Sequence, residues 1–372
     1  MKTVRHGARA RIAAVGIATS GVLLIAGCGA ANESAPSGGA GGSAAPSVSG
    51  TIAGAGSSAQ QAAQEAWIAT FTGQNAGANI TYDPSGSGAG RTQFIGGGVA
   101  YAGSDAYMTP AELTQAQTRC KSDVVEVPDY VSPIAVIYNV PGVSNLQLAP
   151  ATIAQIFDRK ITKWNDPAIA ADNPGATLPD LAITPVNRSD KSGTTQNFAD
   201  YLKVAAGPAW PYAVSDSWPV QGGEAAQGTS GVVGAVKAGN GSIGYADESQ
   251  ARGLGQAKVK VGSEYVGPTA QAAASVLEAS PRVDGQGQYA FAYKLARDTT
   301  TSGTYPVVLV SYLLACSKYA DAPTADLVKA YLNYVVSADG QSLAASKAGA
   351  APLSDKLRGQ ITPAINAIAA GS

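Results

Sequence analysis

Histidine is nearly absent from this sequence of 372 residues: the single histidine, His6, lies close to the N-terminus. Without that segment the chain would contain none, which excludes a Ser-His-Asp triad, a Cys-His dyad and a histidine-ligated zinc site. Only three cysteines are present, Cys28, Cys120 and Cys316, too few for a disulfide-dense scaffold or a four-cysteine metal site. We therefore expect neither a metal nor another cofactor.

Charge is also sparse, since only 14% of the residues are charged and the formal net charge is −1. This balance gives no general basic footprint for nucleic acid, which we do not expect as a partner. The hydrophobic fraction of 45% allows a sizeable core, and the length suggests about two domains. The 44 glycines indicate many turns, a flexible tract, or both.

The N-terminal segment has the features of a secretory signal. Basic residues between Lys2 and Arg11 precede a short apolar stretch that ends at Ile25-Ala26-Gly27-Cys28. This last tetrapeptide resembles the bacterial lipobox, in which cleavage before the cysteine leaves it as a lipidated N-terminus. The resemblance implies a signal peptide over residues 1–27 and acylation of Cys28, which would hold the protein at a membrane surface. The alternative is an ordinary signal peptide with a chance cysteine.

Residues 28–50 are almost all small or polar, so we expect a flexible tether, with the folded part starting near Thr51. Removal of residues 1–27 takes away four of the 25 basic residues and no acidic residue, which leaves a net charge of −5. In an oxidising exterior the two other cysteines, Cys120 and Cys316, are expected to pair. The alternative is that each is buried separately as a small hydrophobic residue.

Apolar patterns after Thr51 alternate between strand and helix, which predicts an α/β fold. The predicted strands span residues 124–127, 134–138, 183–186 and 242–245. The predicted helices span residues 59–71, 151–157, 232–237 and 324–336. Residues 307–314 form an apolar stretch suited to a buried strand or the start of a helix.

Two glycine-rich turns suit an anion. Gly54-Ala55-Gly56-Ser57-Ser58-Ala59 leads into the first predicted helix, whose start offers free N–H groups and positive dipole potential. Pro84-Ser85-Gly86-Ser87-Gly88-Ala89-Gly90-Arg91 could form a nest of N–H groups before a helical stretch over 92–95. The simpler interpretation is a capped helix without a ligand for the first turn and a flexible hairpin loop for the second.

A third turn, Asn187-Arg188-Ser189-Asp190-Lys191-Ser192-Gly193-Thr194-Thr195, follows a strand and precedes a helix. Its arginine has the planar fork that binds phosphate-like oxygens, and its hydroxyls add further donors. A surface salt bridge beside a helix cap is the alternative. The fourth turn, Gly241-Ser242-Ile243-Gly244-Tyr245, is interpreted as a tight entry to a strand.

Asp105, in Gly103-Ser104-Asp105-Ala106, stands out because a carboxylate is unsuited to a fully deprotonated anion. It is suited to an anion that carries a proton. HPO₄²⁻ can donate a hydrogen bond to a carboxylate, whereas SO₄²⁻ would be repelled. The alternative is an exposed aspartate that caps a turn.

These motifs occur in the order found in the extracytoplasmic phosphate-binding lipoproteins of ABC transporters, which the chain from about Thr51 onward resembles. Lys160-Ile161-Thr162-Lys163-Trp164-Asn165-Asp166-Pro167 also looks like a segment of that family. The resemblance implies an α/β, two-lobed periplasmic-binding-protein-like fold of type II. In that fold two chain crossovers join the lobes and the ligand lies in the cleft between them.

The resemblance also implies the site residues. The phosphate-binding residues would be Ser58, Ala59, Ser87, Asp105, Arg188, Ser192, Gly193 and Thr194. Asp105 would accept the phosphate proton, Asp190 would orient Arg188, and Ser57 would support the first turn. The first implied lobe consists of residues 51–133 and 255–372, and the second of residues 134–254. The chain would cross between the lobes near residues 127–137 and 245–262.

The resemblance implies a monomeric, lipid-anchored receptor on the extracytoplasmic face of the bacterial cell membrane, with inorganic phosphate and permease subunits as partners. Two alternatives stay open: a receptor for sulfate or molybdate, and a secreted serine hydrolase or phosphatase. The second would need a base that the sequence does not offer to Gly86-Ser87-Gly88, although a mechanism through Lys191 and Ser192 is conceivable. A cell-surface adhesin is a weaker third interpretation.

Overall fold

The computed structural model describes residues 48–371. The predicted signal peptide (1–27), Cys28 and the predicted tether up to residue 47 lie outside the described residues. The first strand begins at Gly50, one residue before the predicted start of the folded part. Among the described residues, none of the helices combines the length and the apolar character needed to cross a membrane.

The strands are numbered in chain order. They are β1 (Gly50–Gly56), β2 (Ala78–Asp83), β3 (Tyr101–Ser104), β4 (Val124–Asn139), β5 (Gln147–Leu148), β6 (Thr184–Arg188), β7 (Glu224–Ala226), β8 (Ser242–Asp247), β9 (Gly255–Gln256), β10 (Lys258–Val261), β11 (Glu264–Val266), β12 (Val308–Cys316), β13 (Lys318–Tyr319) and β14 (Ala369–Ala370). The apolar stretch at 307–314 is therefore a strand, β12, and every one of its residues from Val308 to Cys316 is buried.

The helices are numbered in the same way. They are α1 (Gln61–Gln74), α2 (Ser87–Ile95), α3 (Pro110–Cys120), α4 (Pro150–Phe157), α5 (Pro167–Asp172), α6 (Gly193–Ala205), α7 (Gly228–Ala238), α8 (Ala270–Glu278), α9 (Ala322–Val336), α10 (Ala338–Ala348) and α11 (Asp355–Asn366). The four predicted helices are confirmed as α1, α4, α7 and α9. Asp321 caps α9 by accepting the Thr324 N–H.

One mixed sheet organises the chain, in the strand order β2-β1-β3-β12-β4-β8-β6-β7, with β9 also paired to β4. The outer strands at each end run parallel to their neighbours, as β1 does to β2 and β3, and β6 to β7 and β8. In the middle, β4 is antiparallel to both β12 and β8. This order brings the carboxyl ends of β1, β3 and β6 to the turns singled out in the sequence.

The central strand β4 corrects one prediction from the sequence. The sequence predicts two separate strands, over 124–127 and 134–138. The structure has a single strand of 16 residues. Its first part pairs with β12 up to Pro133 and its second part pairs with β8 from Ile134. Pro128 is tolerated because the register shifts beside it, opposite Ser311 and Tyr312.

The short strands after β8 bear on the predicted lobe boundary at residue 254. Strand β9 pairs with the second part of β4, and β10 pairs with β5. Strands β9 and β10 are therefore hydrogen-bonded to strands of the 134–254 segment, and β11 joins them through β10. The chain then enters α8, which packs against β4 and β12.

Cys120 and Cys316 are joined by a disulfide, with their Cα atoms 5.4 Å apart. The bond connects the end of α3 to the end of β12, across 196 residues of sequence. It therefore ties a helix near the start of the fold to a strand near its end.

An ion pair connects the two ends of the sheet. Arg91, in α2 beside β1 and β3, lies 3.0 Å from a carboxylate oxygen of Asp216, which is in the loop before β7. The Arg91 side chain is only 5% exposed and that of Asp216 is 17% exposed. Arg91 also donates to Glu112 and to Ser104, the residue before Asp105. Because the pair is shielded from water, its charges interact more strongly than exposed ones.

Asp216→Asn is expected to lower the free energy of unfolding by about 1–2 kcal/mol, because the ion pair with a buried arginine is replaced by a weaker hydrogen bond to an uncharged amide. Asp180→Asn is the matched control, since Asp180 pairs with Lys163 where the two side chains are 65% and 58% exposed. The control should cost less than about 0.5 kcal/mol. Urea denaturation of both variants measures the difference, and equal losses would contradict the prediction.

Candidate functional site

The first turn, between β1 and α1, is held by a close approach of two backbone segments. Gly56 has a φ of +144°, and a Cβ atom there would lie 1.9 Å from the Gly103 carbonyl oxygen, so only glycine fits. Ser57 follows, buried, and its Oγ accepts the Ala59 N–H at 3.1 Å. The predicted Ala59 donor is therefore bonded within its own turn, and Ser57 is the residue that holds it.

Ser58 faces the start of another helix. Its Oγ accepts the N–H of Thr229 at 3.0 Å and also lies 3.0 Å from the Thr229 hydroxyl. Thr229 belongs to the first turn of α7, and Gln250 donates to the Ser58 carbonyl oxygen at 2.8 Å. The hydroxyl predicted to bind an anion is thus positioned by residues more than 170 positions away in the sequence.

The second turn is largely helical. Ser87 is the first residue of α2, so the helix begins before the predicted stretch 92–95, and the predicted nest of N–H groups is replaced by a helix N-terminus. Gly86 precedes it with a φ of +103° and donates its N–H to the Gly56 carbonyl oxygen. Ser87 Oγ accepts the Asp105 N–H at 3.2 Å.

The third turn connects β6, which ends at Arg188, to α6, which begins at Gly193. Ser192 is the N-cap, and its Oγ accepts the Thr195 N–H at 3.1 Å. The Thr194 hydroxyl points away from its own helix and donates to Asp105 Oδ2 at 3.1 Å. Of the predicted residues here, Thr194 thus contacts Asp105 directly, whereas the hydroxyl of Ser192 caps the helix.

Arg188 forms a bidentate ion pair with Asp190. Its Nε donates to Asp190 Oδ1 at 2.7 Å and a terminal nitrogen donates to the other carboxylate oxygen. Asp190 Oδ1 also accepts the Gly228 N–H at the start of α7. Burial alone would raise the pKa of Asp190, but the hydrogen bonds and charge of Arg188 hold it below its usual value. The predicted orientation of Arg188 by Asp190 agrees with this geometry, and the Arg188 side chain is only 2% exposed.

Asp105 lies directly after β3 and is 2% exposed. Its Oδ1 accepts the Ser311 hydroxyl at 2.9 Å, and its Oδ2 accepts that of Thr194. Burial raises the pKa of the Asp105 carboxyl above its usual value, while hydroxyl hydrogen bonds and the charge of Arg188 act in the opposite direction. The exposed-aspartate alternative is therefore wrong, because this carboxyl is enclosed by donors.

Gly193 allows the first residues of α6 to meet the other turns. A Cβ atom there would lie 2.7 Å from Ser87 Oγ and 2.9 Å from Asp105 Cβ. One turn later, the amide of Asn197 donates to the carbonyl oxygens of Asp105, at 2.6 Å, and of Gly193, at 2.9 Å. Its oxygen accepts from Arg297, a buried residue that also bonds Asp200. Asn197 therefore joins the third turn to the segment that follows β3 through their backbones.

Sequence reasoning missed Thr229, Asn197 and Ser311. Gly228-Thr229 does carry a signal, since it repeats the pattern of a glycine and a hydroxyl residue at the start of a helix. Ser311 carries a weaker one, as the only strongly polar side chain within an apolar stretch. Asn197 has no signal in the sequence, because its role depends on which helix faces which turn.

Helices α2, α6 and α7 all begin at this cluster, so their free N–H groups and positive dipole ends converge on Ser58, Ser87, Asp105, Arg188 and Thr194. This arrangement offers several N–H and hydroxyl donors and the buried guanidinium of Arg188, with the Asp105 carboxyl as an acceptor among them. Among residues 48–371, no group of three histidine, cysteine or acidic side chains is arranged to hold a metal ion.

The structure resembles solved phosphate-binding proteins at low sequence identity. It matches the high-affinity periplasmic phosphate-binding protein PfluDING bound with phosphate, with a TM-score of 0.70 and 21% identity over 84% of this chain and 93% of that one. A phosphate-binding protein from Stenotrophomonas maltophilia matches with a TM-score of 0.66 and 19% identity, over 85% and 94% of the two chains. These likenesses confirm the predicted α/β, two-lobed periplasmic-binding fold.

Sequence relatives cover the whole chain. Phosphate-binding protein PstS2 of Mycobacterium bovis is 34% identical over 99% of this chain and 100% of its own length. Phosphate-binding protein PstS 3 of Mycobacterium leprae is 35% identical over 96% of this chain and 98% of its own. The model of the PBP superfamily domain matches residues 41–339. The chain therefore belongs to the PBP superfamily and, within it, to the family of PstS phosphate-binding proteins.

Proposed function

We propose that this protein is a receptor that captures inorganic phosphate between two lobes and delivers it to the permease of an ABC transporter. The observation that carries the proposal is the buried cluster in which three helix N-termini and Arg188 surround one carboxylate, Asp105. A dianion is costly to remove from water, and this cluster offsets that cost with fixed donors and one positive charge. The phosphate-binding relatives support the same ligand.

The proposed ligands lie on three turns. They are Ser58, Ala59, Ser87, Asp105, Arg188, Ser192, Gly193 and Thr194, with Ser57 and Asp190 in support. Hydroxyls that now bond Asp105 or one another would turn to phosphate oxygens, and the N-terminal N–H groups of α2 and α6 would add backbone donors. Arg188 keeps terminal N–H donors beyond those that Asp190 accepts, and these would bind a phosphate oxygen.

The proposed lobes follow the sheet. One consists of 51–133 and the C-terminal part of the chain, and the other of 134–254 extended by β9–β11, whose pairing favours a second crossing after residue 266. The first crossing is β4, at the change of partner between Pro133 and Ile134. Ser87 and Asp105 then face Thr194 across the cleft, so hinge closure would enclose the ligand.

The proposed transport role rests on the family, and the proposed location rests on the family and on the N-terminal sequence. We propose secretion, cleavage before Cys28, acylation of that cysteine and anchoring of a monomer on the extracytoplasmic face of the membrane. We propose binding without catalysis, because the sequence relatives are phosphate-binding proteins. Intact-mass spectrometry of detergent-extracted protein tests the anchor: the expected mass is that of residues 28–372 plus acyl chains, and an unmodified Cys28 would contradict it.

Arg188→Lys is expected to weaken phosphate binding at least roughly tenfold, because lysine keeps the charge but cannot hold Asp190 and a phosphate oxygen with one planar fork. Arg159→Lys is the matched control, since Arg159 is exposed and bonds only the Gln221 carbonyl oxygen. Isothermal titration calorimetry with phosphate measures both. Unchanged affinity in Arg188→Lys would remove Arg188 from the proposed site.

Asp105→Asn is expected to lower the preference for phosphate over sulfate by at least about tenfold, because the amide can donate to sulfate and accepts the phosphate proton less well. Asp83→Asn, at an exposed position near the same turns, should leave the preference unchanged. Competition calorimetry with the two anions gives the ratio. A sulfate-binding wild type would instead favour the alternative of a sulfate or molybdate receptor.

A further inference from the structure

Behind Asp105 runs a chain of buried side chains that no anion would touch. Ser311 Oγ bonds Asp105 Oδ1 at 2.9 Å, and Gln60 Nε2 lies 2.6 Å from the same Ser311 Oγ. Gln60 Nε2 is also 3.1 Å from the Tyr312 carbonyl oxygen. Gln60 and Ser311 are both fully buried, so water does not compete for these groups.

The direction of each hydrogen bond in this chain is fixed by chemistry. The Tyr312 carbonyl oxygen can only accept, so the atom of Gln60 that faces it must be the NH₂ group. The same NH₂ group donates to Ser311 Oγ, which therefore accepts. A serine hydroxyl has one proton, and the proton of Ser311 is left to donate to Asp105 Oδ1.

Further residues hold the orientation of Gln60. Its Oε1 accepts from Gln64 Nε2 at 2.9 Å, and Gln64 Oε1 accepts the Tyr331 hydroxyl at 2.7 Å. Each member thus donates in the same direction, from Tyr331 toward Asp105. A reversed amide at Gln60 would place an oxygen against the Tyr312 carbonyl oxygen, which a buried site does not tolerate.

We propose that Gln60 and Ser311 are specificity-determining residues: their one-way hydrogen bonds keep Asp105 as an acceptor and so select an oxyanion that carries a proton. Oδ1 of Asp105 is committed to Ser311, and Oδ2 is the oxygen that lies beside Thr194 and Ser87. This inference rests on the proposed phosphate site, because the ligand's proton would meet Oδ2 there.

Other groups act on Asp105 from the neighbouring elements. These groups are Arg188 of β6, Asp129 and Tyr130 of β4, Asp247 of β8 and Tyr82 of β2. Burial raises the pKa of Asp129 far above its usual value. Burial raises the pKa of Asp247 to about 7, and its ionisation would favour protonation of Asp105. The Ser311 bond and the Arg188 charge act against protonation.

The first experiment measures Asp105 in the wild type without a ligand. Infrared spectra recorded between pH 4 and 9 contain the carbonyl band of protonated carboxyls, and subtraction of Asp105→Asn and Asp247→Asn spectra assigns the bands of those two acids. The expected result is that Asp105 is ionised at pH 7. A protonated Asp105 at pH 7 would overturn the proposal without any change at Ser311 or Gln60.

The second experiment compares Ser311→Ala with Ser317→Ala, a buried serine that directly follows the same strand β12 and has no hydrogen bond to Asp105 or Asp247. Loss of the Ser311 donor should raise the pKa of Asp105 by about one pH unit, and the ratio of phosphate to sulfate affinity at pH 6 should fall roughly tenfold. Ser317→Ala should change neither value. Equal behaviour of the two variants would overturn the proposal.

Gln60→Leu provides a second variant should Ser311→Ala not fold, and its shift should have the same direction but a smaller size, because Ser311 keeps its proton. An unchanged infrared titration of Asp105 in Gln60→Leu would contradict the role of the chain, whether or not Ser311→Ala folds. Failure of the wild type to bind phosphate in calorimetry would instead contradict the proposed function, and the infrared titration would still decide the state of Asp105.

Discussion

The buried carboxyl of Asp105 is the constraint around which the three turns are arranged. A carboxyl removed from water needs hydrogen bonds to its oxygens, and here the donors are Ser311 and Thr194, which lie far apart in the sequence. The hydrogen bonds to this one carboxyl therefore require β3, β12 and α6 to meet at one point. The carbonyl of the same residue is held by Asn197, so its backbone is fixed along with its side chain.

The glycines at the turns follow from this convergence. Backbone segments must approach more closely than any side chain permits, as Gly56 does to Gly103 and Gly193 does to Ser87. Substitution of either would displace a turn and separate the donors from Asp105. The high glycine content noted in the sequence thus includes positions where close approach, and not only flexibility, requires this residue.

Local sequence predicted those parts of the site whose geometry is local. A strand, a glycine turn and a helix start can be recognised within ten residues, which is why the turns that contain Ser58, Ser87 and Arg188 stood out as possible anion sites. The roles of these residues came from the family resemblance and stay predictions. Thr229, Asn197 and Ser311 were missed because their roles depend on which elements face each other. The single strand β4 was missed for a similar reason: its prolines are tolerated only because a register shift and a change of pairing partner occur there. The lipid anchor and the lobe assignments stay predictions.

In the proposed two-lobed mechanism, some contacts across the cleft need no ligand. The Arg91–Asp216 pair, the Ser58–Thr229 bond and the Asn197–Asp105 bond all connect elements of opposite proposed lobes. Each would stabilise the proposed closed form by itself, and apparent affinity scales with the population of the form that is competent to bind. The residues that touch the anion would then decide which anion is selected, whereas residues that never touch it would help to decide how tightly it is held. Relatives with the same turns could therefore differ in affinity while sharing one selectivity.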